Sequence, residues 1–272
     1  MSHHPSGLSS PSGNRSPVLF IGHGSPMNAV EDNPFTRTLV KLGREIPRPK
    51  AIVCISAHWL SAGTWVTHMA RPKTIHDFYG FPEKLSTFEY PAPGSPETAK
   101  LIQTLMNDPT IQIDDHAWGL DHGAWSVLCH LYPDADVPVI QLSIDMAELP
   151  EFHLALGEKL RVLREHGVLI IGSGNVVHNL RKLDWSPDAP PSKWALEFDA
   201  WIQSKVRARD FRPLCSEVSD TEAARFSVPT LDHYLPLLYA LGASDEKDKM
   251  AIEYEGIQNG AISMLSFSFG LR

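Results

Sequence analysis

Histidines follow three apolar runs of this 272-residue chain in the same way, each after a short turn rich in glycine or serine. The runs and their histidines are residues 18–21 with His23, residues 51–55 with His58, and residues 168–171 with His178. In open α/β sheets the carboxyl ends of the strands border the ligand crevice, so we expect the three imidazoles to converge there. Convergent neutral imidazoles are typical ligands of a transition-metal ion.

Two other histidines lie where they could reach the same crevice. His122 belongs to the glycine-flanked segment 118–125, where the backbone can approach a ligand closely. His233 lies in the expected first turn of a helix, whose dipole disfavours the imidazolium form and so favours a neutral, metal-binding imidazole. The alternative for His233 is a surface histidine at a helix cap.

The chain lacks the motifs of several other enzyme classes. It contains neither the H-E-x-x-H motif of zinc proteases nor the G-x-S-x-G motif of serine hydrolases. The short glycine pairs at 22–24 and 172–174 match neither a phosphate-binding loop nor the complete dinucleotide fingerprint. We interpret these glycines as turns that let side chains project into the crevice.

The elements that must position these histidines alternate between apolar strands and helices. Besides the three runs, strands are expected at 65–67 and 137–142 and as a late pair at 251–254 and 262–267. Helices are expected at 33–42, 95–107, 123–132, 150–166, 193–209 and 232–241. Strands this apolar must be covered on both faces, which predicts a single α/β domain: a central, mostly parallel or mixed sheet flanked by helices on both faces. Residues 71–94, rich in proline, glycine and aromatics, are expected to form a long ordered loop, a feature typical of functional segments.

Composition excludes several kinds of partner. The net charge is −8 from 24 basic and 32 acidic residues, and no basic stripe is present, so nucleic acid is not expected as a partner. No apolar run is long enough to span a membrane, and we expect a cytoplasmic protein. Three cysteines without a C-x-x-C pair predict neither a disulfide framework nor a thiolate zinc site. Residues 1–16 are expected to be a disordered tail before a domain at 17–272.

Seven separated motifs, in this order, resemble those of the class III extradiol ring-cleaving dioxygenases of the LigB superfamily. They are GHGSPM at 22–27, SAHW at 56–59, TIHDFYGFP at 74–82, YPAPG at 90–94, WGLDHGAW at 118–125, GSGNVVHN at 172–179 and HYLPLL at 233–238. The resemblance covers residues 17–272 and is strongest to the 4,5-DOPA extradiol dioxygenase branch. It implies that 17–272 is the catalytic domain of a mononuclear non-haem metal enzyme.

The resemblance also implies a ligand set and a metal. His23 and His58 match the two histidine ligands, and His233 stands where other branches place a carboxylate ligand. His178 matches an acid/base residue beside the metal and a fourth ligand of zinc-filled protein, and His122 matches another histidine that contacts substrate or oxygen. The metal implied for catalysis is Fe(II), with Zn(II) in the isolated protein.

The implied reaction is the cleavage of a catechol by O2 outside the diol, giving a muconate semialdehyde-type product. The expected substrates are DOPA and related catechols with a polar para side chain. His178, with an ordinary pKa of about 6.5, would accept the catechol proton. The residues expected to contact the substrate are His76 in the aromatic loop and the rings of Trp59, Phe78, Tyr79 and Trp125.

Two alternatives remain open from the sequence. The superfamily includes members with a similar pocket whose role is binding or signalling. In the first alternative, this chain is a non-catalytic zinc-binding interaction module of that kind. A zinc hydrolase would need a carboxylate base near the metal, for which Asp121 and Asp232 are candidates, although capping and turn roles suit them better. The expected partners are a small catechol and O2, and the expected state is a monomer or small homo-oligomer.

Overall fold

The apolar runs of the sequence form neighbouring strands of one eight-stranded sheet. The structure is a computed structural model that describes residues 15–106, 108–186 and 189–272. The strands lie in the order β4-β3-β5-β2-β6-β1-β10-β7. They are β1 (Val18–Gly22), β2 (Ala51–Ser61), β3 (Trp65–Thr67), β4 (Gln112–Asp114), β5 (Val139–Asp145), β6 (Val168–Gly174), β7 (Met250–Tyr254) and β10 (Ser266–Phe269). A separate pair consists of β8 (Ile257–Gln258) and β9 (Ile262–Ser263).

The sheet is mixed, with its parallel part in the middle. Strand β6 runs parallel to both β1 and β2, and β2 runs parallel to β5. The pairs β1–β10, β10–β7 and β3–β5 are antiparallel. The expected mostly parallel or mixed sheet is therefore confirmed.

Nine α-helices are described along the chain. They are α1 (Pro34–Glu45), α2 (Glu83–Ser86), α3 (Pro96–Leu105), α4 (His122–Leu131), α5 (Pro150–Leu160), α6 (Lys193–Ala208), α7 (Arg212–Ser216), α8 (Glu222–Ser227) and α9 (Leu235–Ala243). Three short 3₁₀ helices cover Pro26–Val30, Arg161–His166 and Leu180–Lys182. The helix expected at 150–166 is thus α5 followed by a 3₁₀ segment that ends at Gly167 in the left-handed conformation.

Alternate residues of the strands face two separate cores, one on each side of the sheet. In β1, Val18 and Phe20 belong to one core and Leu19 and Ile21 to the other. The first core contains side chains of α5, α6 and α9, and the second contains those of α1 and α4. Because both faces are covered, the strands have no polar face, which is why their sequences read as continuous apolar runs.

Several expected elements differ from those of the structure. Strand β2 does not end at Ile55 but continues to Ser61, with a shift in its register to β5 between Ile55 and Leu60. His58 therefore lies within an irregular part of the strand, where such a shift can re-aim a side chain. The expected pair of 251–254 with 262–267 is divided, because β7 pairs with β10 while Ile262 and Ser263 pair with β8. The segment 71–94 is a loop interrupted by the single turn of α2.

The expected tail lies mostly outside the described residues, since residues 1–14 are not among them. Its last two expected members are packed against the domain. Ser16 is buried and its carbonyl accepts a hydrogen bond of 2.7 Å from Arg164 Nε, while Arg15 pairs with Glu165. In the part of the chain that the structure describes, no helix combines the length and apolarity needed to cross a membrane.

Candidate metal centre

Three neighbouring strands and two helix starts place five histidines around one point. His23 directly follows β1, His58 lies in β2, and His178 comes four residues after β6. These strands are adjacent in the order β2-β6-β1, so their carboxyl ends lie side by side. His122 is the first residue of α4, and His233 lies two residues before α9 rather than in its first turn as expected.

The rings lie within contact distance of one another. The Nε2 atoms of His23 and His58 are 3.2 Å apart, and the ring centroid of His233 is 5.3 Å and 4.9 Å from those of His23 and His58. The ring centroids of His122 and His58 are 3.8 Å apart. The ring of His178 stacks on that of His233, with their centroids 3.5 Å apart. Possible ligand atoms of His23, His58 and His122 all lie within 4.8 Å of one another, as do those of His178, Asp232 and His233.

Hydrogen bonds at Nδ1 orient four of the five rings. The acceptor for His23 Nδ1 is the Ser173 hydroxyl at 3.0 Å, because that hydroxyl itself donates to the Gly123 carbonyl at 2.6 Å. The carboxylates serve the other three rings: Asp77 accepts from His58 at 3.1 Å and from His122 at 2.8 Å, and Asp232 accepts from His233 at 2.6 Å. A proton on Nδ1 leaves the lone pair on Nε2, which is the arrangement that outer hydrogen bonds produce in metal-binding histidines. The donor set therefore fits a divalent transition-metal ion.

Two glycines make room for these rings. A Cβ on Gly123 would overlap the Ser56 hydroxyl and lie 2.9 Å from the His58 ring. A Cβ on Gly174, at the end of β6, would overlap the carbonyl of His233. The glycines that the sequence indicated as turns thus also permit the close approach of α4 and of the segment before α9 to the sheet.

Burial keeps most of these imidazoles neutral. It lowers the pKa of His23 well below the ordinary value, and neighbouring imidazoles, His58 first, lower it further. The pKa of His178 is lowered to about 2, mainly by burial and, to a smaller extent, by the charge of His233. Burial also lowers the pKa of His233 to about 4, although Asp232 opposes it. The ordinary pKa expected for His178 was wrong because the sequence does not show that its ring is buried against another imidazole.

The two hydrogen-bond partners of Asp77 have opposite pKa shifts, although Asp77 itself acts to raise the pKa of both. Burial works to raise the pKa of Asp77, but the hydrogen bonds from His122 and His58 outweigh it and hold that pKa well below the usual range. For His58, burial is outweighed by Asp77 and by the charges of Asp121 and Asp232, so its pKa is raised. For His122, burial and the charge of His58 outweigh Asp77, so its pKa is lowered.

A cavity of about 280 Å³ opens beside the histidines. Four imidazoles lie on its wall, those of His58, His122, His178 and His233. Its apolar lining consists of Pro26, Phe78, Phe81, Leu180, Leu183, Trp185 and Ile262, and Ser25, Asp77 and Asn259 are polar. The combination of an apolar wall and a few convergent polar groups is typical of small-molecule sites.

Of the aromatic residues expected to contact substrate, the structure brings only Phe78 to this cavity. Trp125 is fully buried and donates to the Ile75 carbonyl at 2.8 Å, and Trp59 is buried and stacked on Trp118. His76 donates from Nε2 to the Phe88 carbonyl at 2.8 Å. Tyr79 is 95% exposed. These four residues do not line the cavity. The expectation failed because the motif alone does not show which ring faces inward and which packs behind the loop.

Sequence reasoning missed Asp77 and most of the apolar lining. Asp77 stands beside His76 in the motif TIHDFYGFP. An acidic residue within an aromatic loop is the sequence signal that could have indicated its role. Leu180 and Trp185 are exposed by 60% and 76%, and nothing in their local sequence indicated a role at a site.

The two carboxylates considered as the base of a hydrolase both accept hydrogen bonds from neighbouring groups. Asp121 caps α4 by accepting from Ala124 N and also accepts from Ser56 at 2.6 Å and Gln141 at 2.7 Å. Asp232 holds His233, and neither aspartate lines the cavity. The capping role given to Asp121 as its more suitable alternative is confirmed.

Comparison with known proteins identifies the family. Residues 2–270 match the family described as the catalytic LigB subunit of aromatic ring-opening dioxygenase. A protein of Escherichia coli named 4,5-DOPA dioxygenase extradiol is 48% identical over 262 residues, which cover 95% of this chain and 96% of that protein. A protein of the same name from Beta vulgaris is 36% identical over 262 residues, covering 93% of this chain and 96% of that protein.

A solved structure agrees with these sequence matches. The crystal structure of an uncharacterized protein from Escherichia coli has a TM-score of 0.83 and 44% sequence identity to this chain. The match covers 94% of this chain and 100% of that one. The chain belongs to the LigB family and is an extradiol aromatic ring-opening dioxygenase.

Proposed function

We propose that the chain cleaves catechols bearing a polar para side chain, of which DOPA is the type, to a muconate semialdehyde-type product. The observation that carries the proposal is a cluster of five imidazoles, four of which line a cavity of about 280 Å³ with an aromatic wall. The names of the relatives from Escherichia coli and Beta vulgaris support DOPA as the substrate type.

His23, His58 and His233 are the residues proposed to hold the metal, with His178 as an additional ligand when zinc is bound. They come from the end of β1, the interior of β2 and the segment before α9, and hydrogen bonds orient each of the three rings. These residues would hold Fe(II), which would supply the Lewis-acid and redox chemistry that the reaction of a catechol with O2 requires. Three neutral ligands leave nearly the full charge of the ion available to attract a catecholate.

Proton transfer is assigned to His178 and His122. The depressed pKa of His178 means that its imidazole is neutral at pH 7 and has a lone pair for a catechol proton. Negative charge on the deprotonated diol beside the ring raises the affinity of His178 for that proton and helps to hold it. His122, neutral and fixed by Asp77, is the second group able to take up a proton at Nε2 and later return it.

The apolar lining positions the ring and excludes water. Phe78 lies edge-on to His122, with centroids 5.6 Å apart, and forms a wall for the catechol ring. The para side chain then extends toward Leu180 and Trp185. Among the described residues, no lysine or arginine lines the cavity, so a carboxylate on the side chain has no ion-pair partner within that lining.

Oxygen uptake by the Fe(II)-loaded protein with a panel of catechols tests the proposal. We expect uptake with DOPA and related para-substituted catechols, together with a yellow semialdehyde or its cyclised derivative. A colourless dicarboxylate would show intradiol cleavage and contradict the proposal. Absence of uptake with every catechol would favour the non-catalytic zinc-binding role instead.

A further inference from the structure

We propose that Asp77 is a positioning residue that holds His58 and His122 in one tautomer, with the proton on Nδ1 and the lone pair on Nε2. The inference deepens the proposed function and rests on it for the roles of the two imidazoles. His58 is one of the proposed metal ligands and His122 a proposed proton carrier. One carboxylate would therefore set the tautomer of both imidazoles.

Each oxygen of Asp77 serves a different ring. Oδ2 lies 3.1 Å from Nδ1 of His58, and Oδ1 lies 2.8 Å from Nδ1 of His122. Oδ1 also accepts from the backbone N–H of His122 at 3.1 Å, which ties the carboxylate to the first residue of α4. An ionised carboxylate only accepts hydrogen bonds, so both rings must donate from Nδ1.

Water has little room to replace this carboxylate. The side chains of Asp77, His58 and His122 are 19%, 15% and 7% exposed. A buried polar group that loses its hydrogen-bond partner is destabilising, so the two rings strongly favour the tautomer that Asp77 accepts.

The two residues that precede Asp77 in its loop are anchored by hydrogen bonds. The backbone N–H of Ile75 donates to Leu120 at 2.7 Å, and the Ile75 carbonyl accepts from Trp125 Nε1 at 2.8 Å. The neighbouring His76 donates to the Phe88 carbonyl. His76 and Trp125, which the sequence suggested as substrate contacts, therefore fix the backbone from which Asp77 reaches the site.

An Asp77→Asn variant separates this role from simple packing. The amide has the shape of the carboxylate but only one acceptor oxygen, and its other terminal group donates. It cannot accept from both Nδ1 atoms. One ring must then move its proton to Nε2, and that ring loses the lone pair that faces the site.

The direct test is ¹⁵N NMR of the histidine side chains in zinc-free protein at pH 8.5, which distinguishes the two tautomers. In the wild type we expect His58 and His122 to be protonated at Nδ1, and in Asp77→Asn one of them at Nε2. The matched control is Asp115→Asn, because Asp115 accepts from His68 Nδ1 at 2.6 Å in a second, more exposed pair. It should leave the tautomers of His58 and His122 unchanged.

Zinc affinity, measured by competition with a chelator, gives the second readout. If His58 changes tautomer, affinity should fall by about 10–100-fold, and if only His122 changes, affinity should stay within threefold of the wild type. A proton on Nε2 of either ring in the wild type overturns the proposal. So do two Nδ1-protonated rings in folded Asp77→Asn, or a changed His58 with unaltered zinc affinity. None of these readouts needs turnover, so the inference can fail while the proposed reaction stands.

Discussion

His178 and His233 lie face to face, with ring centroids 3.5 Å apart and planes 6° from parallel. Two imidazolium ions cannot share this position, and burial already disfavours charge on either ring. Asp232 holds His233 through Nδ1, whereas His178 is held by its backbone N–H, which donates to Ser227 at 2.8 Å. Asp232 thus fixes the ring of His233 for ligation, whereas this backbone hydrogen bond fixes the main chain of His178 and not its ring.

Replacing His58 by alanine should remove metal binding. His58 lies in β2 and supplies an Nε2 atom 3.2 Å from that of His23. We expect a loss in affinity well beyond the roughly 10–100-fold effect of outer hydrogen-bond partners. Elemental analysis after dialysis measures the change, with His166→Ala as a control at an exposed histidine. Full metal occupancy in His58→Ala would contradict the ligand assignment.

Replacing His178 by glutamine should reduce turnover more than substrate binding. Glutamine retains hydrogen bonding but cannot take up a proton at neutral pH, so we expect kcat to fall by about 10²- to 10⁴-fold. KM for a catechol should change only a few-fold. The measurement is steady-state oxygen uptake after iron loading, with His122→Gln in parallel to show which imidazole dominates. Normal kcat with a collapsed affinity for catechol would instead make His178 an essential ligand.

The cavity takes its two walls from elements that are distant in sequence. The loop before α2 contributes Phe78, and the 3₁₀ helix Leu180–Lys182 with the residues after it contributes Leu180 and Trp185. The 3₁₀ helix is capped by the side chain of Asn179, which also donates to the Phe226 carbonyl at 2.7 Å. This segment is therefore fixed at its base while Trp185 remains exposed, as expected of a residue at the mouth of a site.

Trp185→Ala should weaken binding of catechols with a side chain but not of catechol itself. The indole lines the cavity and is 76% exposed, so we expect it to contact a side chain and not the catechol ring. Loss of one aromatic contact corresponds to roughly a three- to tenfold rise in KM. The comparison of KM for DOPA and for unsubstituted catechol measures this effect. Tyr79→Ala is the control, since Tyr79 is exposed and outside the lining. Equal changes for both substrates would mean that Trp185 does not contact the side chain.

Two helices of the first core also bury a titratable pair outside the cavity. His153 of α5 is fully buried, and its Nδ1 lies 2.9 Å from the Tyr239 hydroxyl of α9. Its Nε2 is buried without a hydrogen-bond partner among the described residues. Burial lowers the pKa of His153 to about 4, although the backbone of Glu148 and the charge of Asp145 oppose the shift. This imidazole makes the stability of the whole domain depend on pH.

Acidification should destabilise the wild type more than a His153→Gln variant. Since the pKa of His153 is lower in the folded chain than in the unfolded one, the unfolded chain binds the proton more readily, and stability falls as pH drops from about 6.5 towards about 4. The expected loss from this group is about 2 kcal/mol at pH 5. Denaturant unfolding at pH 7.5 and pH 5 measures it. An identical loss in His153→Gln would show that His153 does not contribute.

The sequence by itself determined the central sheet and the convergence of its histidines. The runs before His23 and His58 are apolar at every position because both faces of the sheet are covered, and this signal is local. The rule that strands of open α/β sheets end at one crevice then brought these imidazoles together. The motif order was sufficient to indicate the LigB family before any contact was known.

Only the tertiary structure decided which side chains face the cavity and what charge they carry. Asp77 and His122 are 45 positions apart, and their hydrogen bond depends on how the loop is anchored against α4. Trp125 and Phe78 have similar local sequence signals, yet one is buried behind the loop and the other lines the site. The low pKa of His178 likewise arises from burial and from the stacked ring of His233. Such properties depend on contacts between distant segments, which residue type and spacing do not encode.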